Sequence, residues 1–357
     1  MNKKKIVCDH PWSSVWVKAN GDVTLCPQNR TLIGNLNKEE LKDVWNSKNA
    51  IKVRKYFKQS KYIESGCEVE CPFLRGKKTP PSKLPPHEEM NYPDYPKLDC
   101  SGDFKNNFIK FKKNFNDQKT KIDNFPINYD IQAVLRCNFD CFMCGQDHSS
   151  KLEHDLKIEK KIEAFQNYAH IFRWQGGEVF LKKNFFEYSK NLKTDKNPYL
   201  IKFFITNGSV LNEKKLYEMC EKNNNVHFLV SIDGFKESTY RKIRRTNHFN
   251  KAINTVKTLA NIQRKQNRKK LVKWNFTLMR SNVFEMIPAM KFCEDEKIDI
   301  NFAPLQGNFK DENFFSFKKN GDETLYREIE KAKKLLKNLK IKVSGFEGIE
   351  YRLNQNF

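Results

Sequence analysis

Three cysteines in the run Cys137-Asn-Phe-Asp-Cys141-Phe-Met-Cys144 are the residues whose type and spacing carry the clearest chemistry. Thiolates are soft ligands for iron and zinc, and four of them close the shell of an ordinary structural site. Three at a C-x3-C-x2-C spacing leave one position open, which suits an iron–sulfur cluster whose free iron binds a small cosubstrate. A structural zinc with His148 as fourth ligand is the competing chemistry, although zinc ligands more often come in CxxC pairs. A second constellation lies upstream at Cys8, Cys26, Cys67 and Cys71. Its four thiolates saturate one cluster or one zinc and leave nothing open. Cys100, Cys220 and Cys293 remain, and the last two sit in amphipathic stretches (LYEMCEK, MKFCEDEK) as ordinary core or surface thiols.

The elements that must position these residues follow from hydrophobic periodicity. A strand pattern from Tyr129 to Arg136 (YDIQAVLR) runs straight into Cys137. The cysteine loop is therefore expected at the C-terminal mouth of a parallel sheet, where α/β proteins place their chemistry. Strand patterns recur at Asp130 to Arg136, His170 to Gln175, Leu200 to Thr206, Val226 to Ile232, Lys273 to Met279 and Asp299 to Pro304. Helical faces separate them, such as Phe249, Ile253, Val256 and Leu259, or Leu325, Ile329, Ala332, Leu335 and Leu336. Six β/α units imply a parallel sheet. Upstream, Val15 to Val17 and Val23 to Leu25 form a hairpin that brings Cys8 and Cys26 together across Asn20-Gly21-Asp22. A helix from Lys38 to Ser47 follows, then a second helical stretch through Arg54 and Tyr56. Residues 77–100 hold six prolines between 80 and 96 and read as an extended, semi-rigid linker, while the lysine- and asparagine-rich residues 101–126 give no clear element.

At 357 residues the chain suggests two domains on a prior of roughly 150 residues each. A hydrophobic fraction of 38% with 29 phenylalanines fills a sizeable core and excludes a disordered chain. No stretch approaches the roughly 20 apolar residues of a membrane span, and the start MNKKKIV enters CDHPW without an apolar targeting segment, so a cytoplasmic protein is expected. Ten cysteines in such a chain read as metal ligands or free thiols rather than disulfides. The net charge of +23 allows nucleic acid as a partner but does not favour it, because the lysines are spread along the whole chain. Runs such as Arg241 to Arg245 and Arg264 to Lys270 read as solvated faces.

The cysteine run resembles the SAM-cluster motif of the radical S-adenosylmethionine (radical SAM) superfamily, and further motifs strengthen the likeness. Gln175-Gly176-Gly177-Glu178 is similar to the family's GGE segment, Thr206-Asn207-Gly208 and Ser231-Ile-Asp233-Gly234 to its TNG and SxDG loops, and Tyr240-Arg-Lys-Ile-Arg244 to its YxxIR run. The first 76 residues resemble the SPASM/twitch auxiliary-cluster domain, through Gly21 five residues before Cys26, Ile33-Gly-Asn and Trp45-Asn-Ser47. Two departures stand out: that domain precedes the barrel here instead of following it, and its last pair is spaced C-x3-C. The resemblance implies an α/β fold, a partial (β/α)6 barrel preceded by a small SPASM/twitch-like domain. Its expected limits are an auxiliary 4Fe-4S domain at 1–76, a linker and connecting segment at 77–126, a radical SAM core at 127–345 and a tail at 346–357.

It also implies the site. Cys137, Cys141 and Cys144 would hold the SAM-binding 4Fe-4S cluster, and Cys8, Cys26, Cys67 and Cys71 an auxiliary 4Fe-4S cluster. SAM would meet Gly176, Gly177 and Glu178 with its amino group, Ser231 and Asp233 with its ribose, Arg244 with its carboxylate, and Met143 and Gln306 near its adenine. The implied activity is reductive cleavage of SAM to a 5′-deoxyadenosyl radical that takes hydrogen from a peptide, sugar or other small molecule. An electron donor such as flavodoxin or ferredoxin is implied with it, and no catalytic acid or base can be named. An RNA-modifying radical SAM enzyme and a non-catalytic metal-binding interaction protein are the alternatives.

Overall fold

The computed structural model describes residues 8–69, 71, 74 and 102–354. It divides into two compact units, Met1–Arg136 with Ser149–Phe203, and Cys137–His148 with Phe204–Phe357. The Pro-rich linker and Cys100 lie outside the described residues.

The first unit opens with α1 (His10–Ser13) and the strands β1 (Ser14–Val17), β2 (Asp22–Thr24) and β3 (Gly34–Asn35). β1 and β2 pair antiparallel with Val17 opposite Val23, and the turn between them needs Gly21 at φ +83°. Two helices follow as expected, α2 (Leu41–Trp45) and α3 (Lys48–Lys58), but the first is shorter than the expected Lys38 to Ser47 and the second begins directly after it. The difference has local causes. Glu39 spends its carboxylate on the Asn35 N–H at 2.9 Å, and Ser47 caps α3 by accepting from the Ala50 N–H at 3.2 Å. Arg54 of α3 is fully buried and donates to the carbonyls of Pro11 at 2.7 Å, Trp45 at 2.9 Å and Thr120 at 3.2 Å. Its guanidinium also lies over the Trp45 ring at 4.6 Å, and burial lowers its pKa to about 9.

A helix without sequence-based expectation, α4 (Gly102–Asn116), buries Phe104, Phe108 and Phe111. β4 (Asn128–Val134), α5 (Leu156–Glu163), β5 (Ile171–Gly176) and α6 (Phe185–Asn191) complete the unit, and the division falls inside β6 (Ile201–Thr206). β1 lies parallel to β4 in register from Ser14 opposite Asn128 to Val17 opposite Ile131, giving the strand order β5-β4-β1-β2-β3. The N-terminal hairpin is thus spliced onto the first strand of the β/α series by backbone hydrogen bonds. Val15, Val17, Tyr129, Ile131, Phe172 and Trp174 are buried on these strands.

In the second unit β7 (Val226–Ser231), β8 (Val272–Leu278), β9 (Asp299–Pro304) and β10 (Val343–Ser344) are parallel neighbours in the order β10-β9-β8-β7. They alternate with α7 (Glu213–Glu221), α8 (Glu237–Arg244), α9 (Phe249–Lys265), α10 (Met286–Glu296) and α11 (Glu323–Leu335). The six expected strands are present within two residues of their expected ends, and the fold class is α/β with parallel strands. The stretch expected as a tail contains α12 (Phe346–Leu353), whose Phe346 meets Phe302 edge-on at 5.9 Å. Cys220 and Cys293 are buried core thiols of α7 and α10, and burial pushes both pKa values up, Cys220 to about 12.

Candidate cofactor sites

Cys137 to His148 form a loop closed by its own backbone. The Cys137 N–H donates to the His148 carbonyl at 3.2 Å and the Cys144 N–H to the Cys141 carbonyl at 3.0 Å. Neighbouring elements fix its orientation. The Phe142 N–H donates to the Ile243 carbonyl at 3.2 Å, at the end of α8, and the Asn207 amide donates to Asn138 Oδ1 at 2.9 Å. Asn138 in turn donates to Ser209 Oγ at 2.9 Å, so the loop after β6 is clipped to the cysteine loop twice. Phe139 is buried and stacks on His248 at 5.6 Å. Phe142, Met143 and Phe309 pack against Ile243, Met279 and Leu305. Cys141 is buried, Cys137 half-buried and Cys144 exposed. His148, the candidate fourth zinc ligand, turns its Nδ1 to Asp140 Oδ1 at 3.3 Å.

Beneath Cys141 lies a buried polar group. Asp233 follows β7 and is fully buried, and its Oδ1 accepts from the Thr277 N–H at 2.6 Å. Its Oδ2 is 2.6 Å from Nη2 of Arg244, the last residue of α8, whose Nη1 stands 3.7 Å from Cys141 Sγ. The ion pair is close but poorly directed. Asp233 Oδ2, Arg244 Nε and the Tyr240 hydroxyl are buried atoms without a hydrogen-bond partner among the described residues. Buried polar atoms normally find partners, so this trio beside an open set of thiols fits a polar ligand seated there. Burial works to lower the Arg244 pKa, but the Asp233 carboxylate and the Cys141 sulfur hold it raised, and the cation remains. Burial pushes the Cys141 thiol up while Arg244 pulls it down. α8 itself is seated by Glu285, whose buried carboxylate accepts from the N–H groups of Phe235 at 2.6 Å and Lys236 at 3.0 Å and from Thr239 Oγ1 at 2.5 Å.

In the first unit the other four cysteines line one cavity. Cys8, Cys26, Cys67 and Cys71 share it with His10, Leu25, Phe57 and Tyr62. Burial drives the Cys8, Cys26 and Cys67 thiols up, and mutual repulsion among Cys8, Cys26 and Cys71 adds to it, so thiolates there call for metal. Among the described residues no three His, Cys, Asp or Glu side chains stand close enough to hold a single metal ion. A cubane takes one thiolate at each of its irons, and four thiols ringing a cavity fit that demand.

Residues 131–287 match the model of the radical SAM superfamily, a span that begins in β4 and contains the three cysteines, Asp233 and Arg244. The chain carries a radical SAM domain. Residues 8–72 match the iron–sulfur cluster-binding domain called SPASM, with all four upstream cysteines inside the match. The cofactors of the two domains are a SAM-binding 4Fe-4S cluster, an auxiliary iron–sulfur cluster and SAM. Among solved structures, the chain is similar to Streptococcus suis SuiB bound to precursor peptide SuiA, at 15% identity and a TM-score of 0.49, over 92% of this chain and 72% of that one. It is also similar to Streptococcus suis SuiB bound to S-adenosylmethionine, at 16% identity and a TM-score of 0.44, over 59% of this chain and 45% of that one. Native anSMEcpe with bound AdoMet matches at 18% identity and a TM-score of 0.43, over 59% and 62%. The chain therefore spans less than two thirds of each of these SAM-bound structures. No curated protein matches it. Among the described residues no helix is long and apolar enough to cross a membrane.

The radical SAM domain distributes its expected ligand residues unevenly. Cys137, Cys141, Cys144, Met143, Asp233 and Arg244 come together in the second unit, but Asp233 and Arg244, expected to make separate contacts, face each other. Arg244 is also buried, unlike the solvated face expected of the Arg241 to Arg245 run. Ser231 is half-buried at the end of β7, and Gln306 is exposed after β9. The GGE segment in the first unit folds back on the strand leading into Cys137. The Gly177 N–H donates to the Val134 carbonyl at 2.8 Å and the Glu178 N–H to the Arg136 carbonyl at 3.0 Å. A Cβ at Gly177 would strike the Leu135 and Arg136 carbonyls, and Gly176 at φ +136° would strike Val134. Glu178 is fully buried and accepts from the Phe180 N–H at 3.3 Å. Tyr240, Asn207, Glu285 and Phe309 belong to the site and were not among the expected ligands. Tyr240 and Asn207 do fall inside the YxxIR and TNG motifs, whereas nothing in the sequence marks Glu285 or Phe309.

Proposed function

We propose that this chain reductively cleaves SAM at a cluster held by Cys137, Cys141 and Cys144, and uses the resulting 5′-deoxyadenosyl radical to take hydrogen from a peptide or other small organic substrate. One observation carries the proposal: three thiols share their surroundings with the buried Asp233–Arg244 ion pair, beside which Arg244 Nε and the Tyr240 hydroxyl make no hydrogen bond among the described residues. When bound, the cluster supplies the electron that breaks SAM, and the chain's own groups do the rest by position. Arg244 keeps its Nε free for the SAM carboxylate while Asp233 fixes one side of its fork. Met143 with Phe142 and Phe309 supplies an apolar surface for adenine. Cys8, Cys26, Cys67 and Cys71 would hold the auxiliary cluster, and an acidic one-electron carrier such as flavodoxin or ferredoxin would feed the site. The test is anaerobic incubation of the reconstituted chain with SAM and dithionite. 5′-Deoxyadenosine should form, and with a deuterated substrate it should carry deuterium. Failure to form any 5′-deoxyadenosine with both clusters loaded would contradict the proposal.

A further inference from the structure

The lining of the auxiliary cavity contains more than four sulfurs. His10 Nδ1 stands 3.1 Å from Cys8 Sγ, and the Asn29 amide nitrogen lies 3.4 Å from Cys67 Sγ, which also has Ser65 Oγ at 3.5 Å. The Gln28 N–H donates to Cys26 Sγ at 3.2 Å. Cys8, Cys26 and Cys67 therefore each have a polar group beside the sulfur. His10 and Asn29 are almost fully buried, at 3% and 2% exposure, so water does not compete for them.

We propose that His10 and Asn29 are positioning residues that donate hydrogen bonds to the cluster's Cys8 and Cys67 sulfurs and raise its reduction potential; this rests on the auxiliary-cluster assignment above. The roles follow from chemistry. A sulfur bound to iron has lost its proton and can only accept, so the His10 tautomer with N–H at Nδ1 is the one that fits. The orientation of Asn29 is fixed independently. Its Nδ2 also donates to the Ser65 carbonyl at 3.0 Å and its Oδ1 accepts from the Thr31 N–H at 3.0 Å, so a flipped amide would set oxygen against carbonyl oxygen. The bridge of Asn29 to Cys67 by backbone pairing holds the two residues together. A reduced cluster carries one more negative charge than an oxidised one, so each N–H donor stabilises it more, and hydrogen bonds to sulfur are among the levers that set such potentials.

The test uses the full chain with Cys137, Cys141 and Cys144 all replaced by alanine, so that only the auxiliary cluster gives a signal. Its midpoint potential is followed by EPR-monitored titration in His10→Phe, His10→Gln and Asn29→Leu variants. His10→Phe and Asn29→Leu should each weaken the preference for the reduced state about tenfold, a fall of about 59 mV for one electron, with iron content retained. His10→Gln keeps a donor and should recover most of the fall. Unchanged potentials with full iron would overturn the proposal. Loss of the cluster from both donor-less variants would overturn it too, because the residues would then retain metal rather than tune it. A parent protein with no redox-active iron at all would overturn the cluster assignment itself.

Discussion

Replacing Asp233 by asparagine isolates the electrostatics beneath the SAM-cluster loop. The substitution keeps shape and an acceptor for the Thr277 N–H, held at 2.6 Å, but removes the charge facing Arg244 at 2.6 Å. Asp233 is fully buried and Arg244 is 9% exposed, so the guanidinium cannot recover its hydration in place. Breaking a buried pair by removing one partner costs about 3–5 kcal/mol, because the remaining charge stays uncompensated. Of the chain's five tryptophans only Trp274 lies in the second unit, and its indole N–H donates to the Ile232 carbonyl beside Asp233 at 2.7 Å. Urea unfolding followed by Trp274 fluorescence, with the other four tryptophans replaced in a common background, should show the loss in that unit. Arg244→Met alone should cost a similar amount, and the double variant should cost less than the sum of the singles by about 2 kcal/mol or more. A shift below about 1 kcal/mol, or additive singles, would refute the idea that these residues stabilise each other.

Three further outcomes are expected. Gly177→Ala forces a Cβ against the Leu135 and Arg136 carbonyls, and should cost about 1–3 kcal/mol and lower iron retention at the SAM cluster, measured by thermal unfolding and iron quantification. Glu285→Ala removes the acceptor of two N–H groups and a hydroxyl at the start of α8, so it should destabilise by about 2–4 kcal/mol and weaken SAM binding measured by calorimetry. His154 is buried, its Nε2 lies 2.7 Å from the Lys18 carbonyl, and burial lowers its pKa from 6.5 to about 4. Because the folded state disfavours the proton, this contribution is fully present above pH 6.5 and is lost as pH falls from 6.5 toward about 4. It amounts to about 3 kcal/mol. Urea midpoints should fall across that range, and His154→Gln should flatten the fall.

What the sequence disclosed was chemistry carried by contiguous residues. The cysteine loop, the GGE segment and the strand ends are short runs whose spacing survives without knowledge of neighbours, and β9 appeared at its expected residues from Asp299 to Pro304. α4 was missed although Phe104, Phe108, Phe111 and Phe115 repeat at helical intervals, because lysine and asparagine between them mask the stripe. α12 was masked by two glycines in GFEGIEYRL. Pairings across the fold left no trace. Nothing local says that Arg244 turns to Asp233, that Glu285 reaches back to Phe235, or that β1 joins β4 across more than a hundred residues. Such contacts are fixed by where elements pack, which composition and periodicity do not encode.

The assignment of the SAM cluster is tested most directly by counting iron and 5′-deoxyadenosine together. The reconstituted chain should hold about eight irons and cleave SAM with dithionite, and the variant with Cys137→Ala, Cys141→Ala and Cys144→Ala should hold about four and form no 5′-deoxyadenosine. Undiminished cleavage by that variant, or a full iron complement in it, would contradict the assignment of these three cysteines.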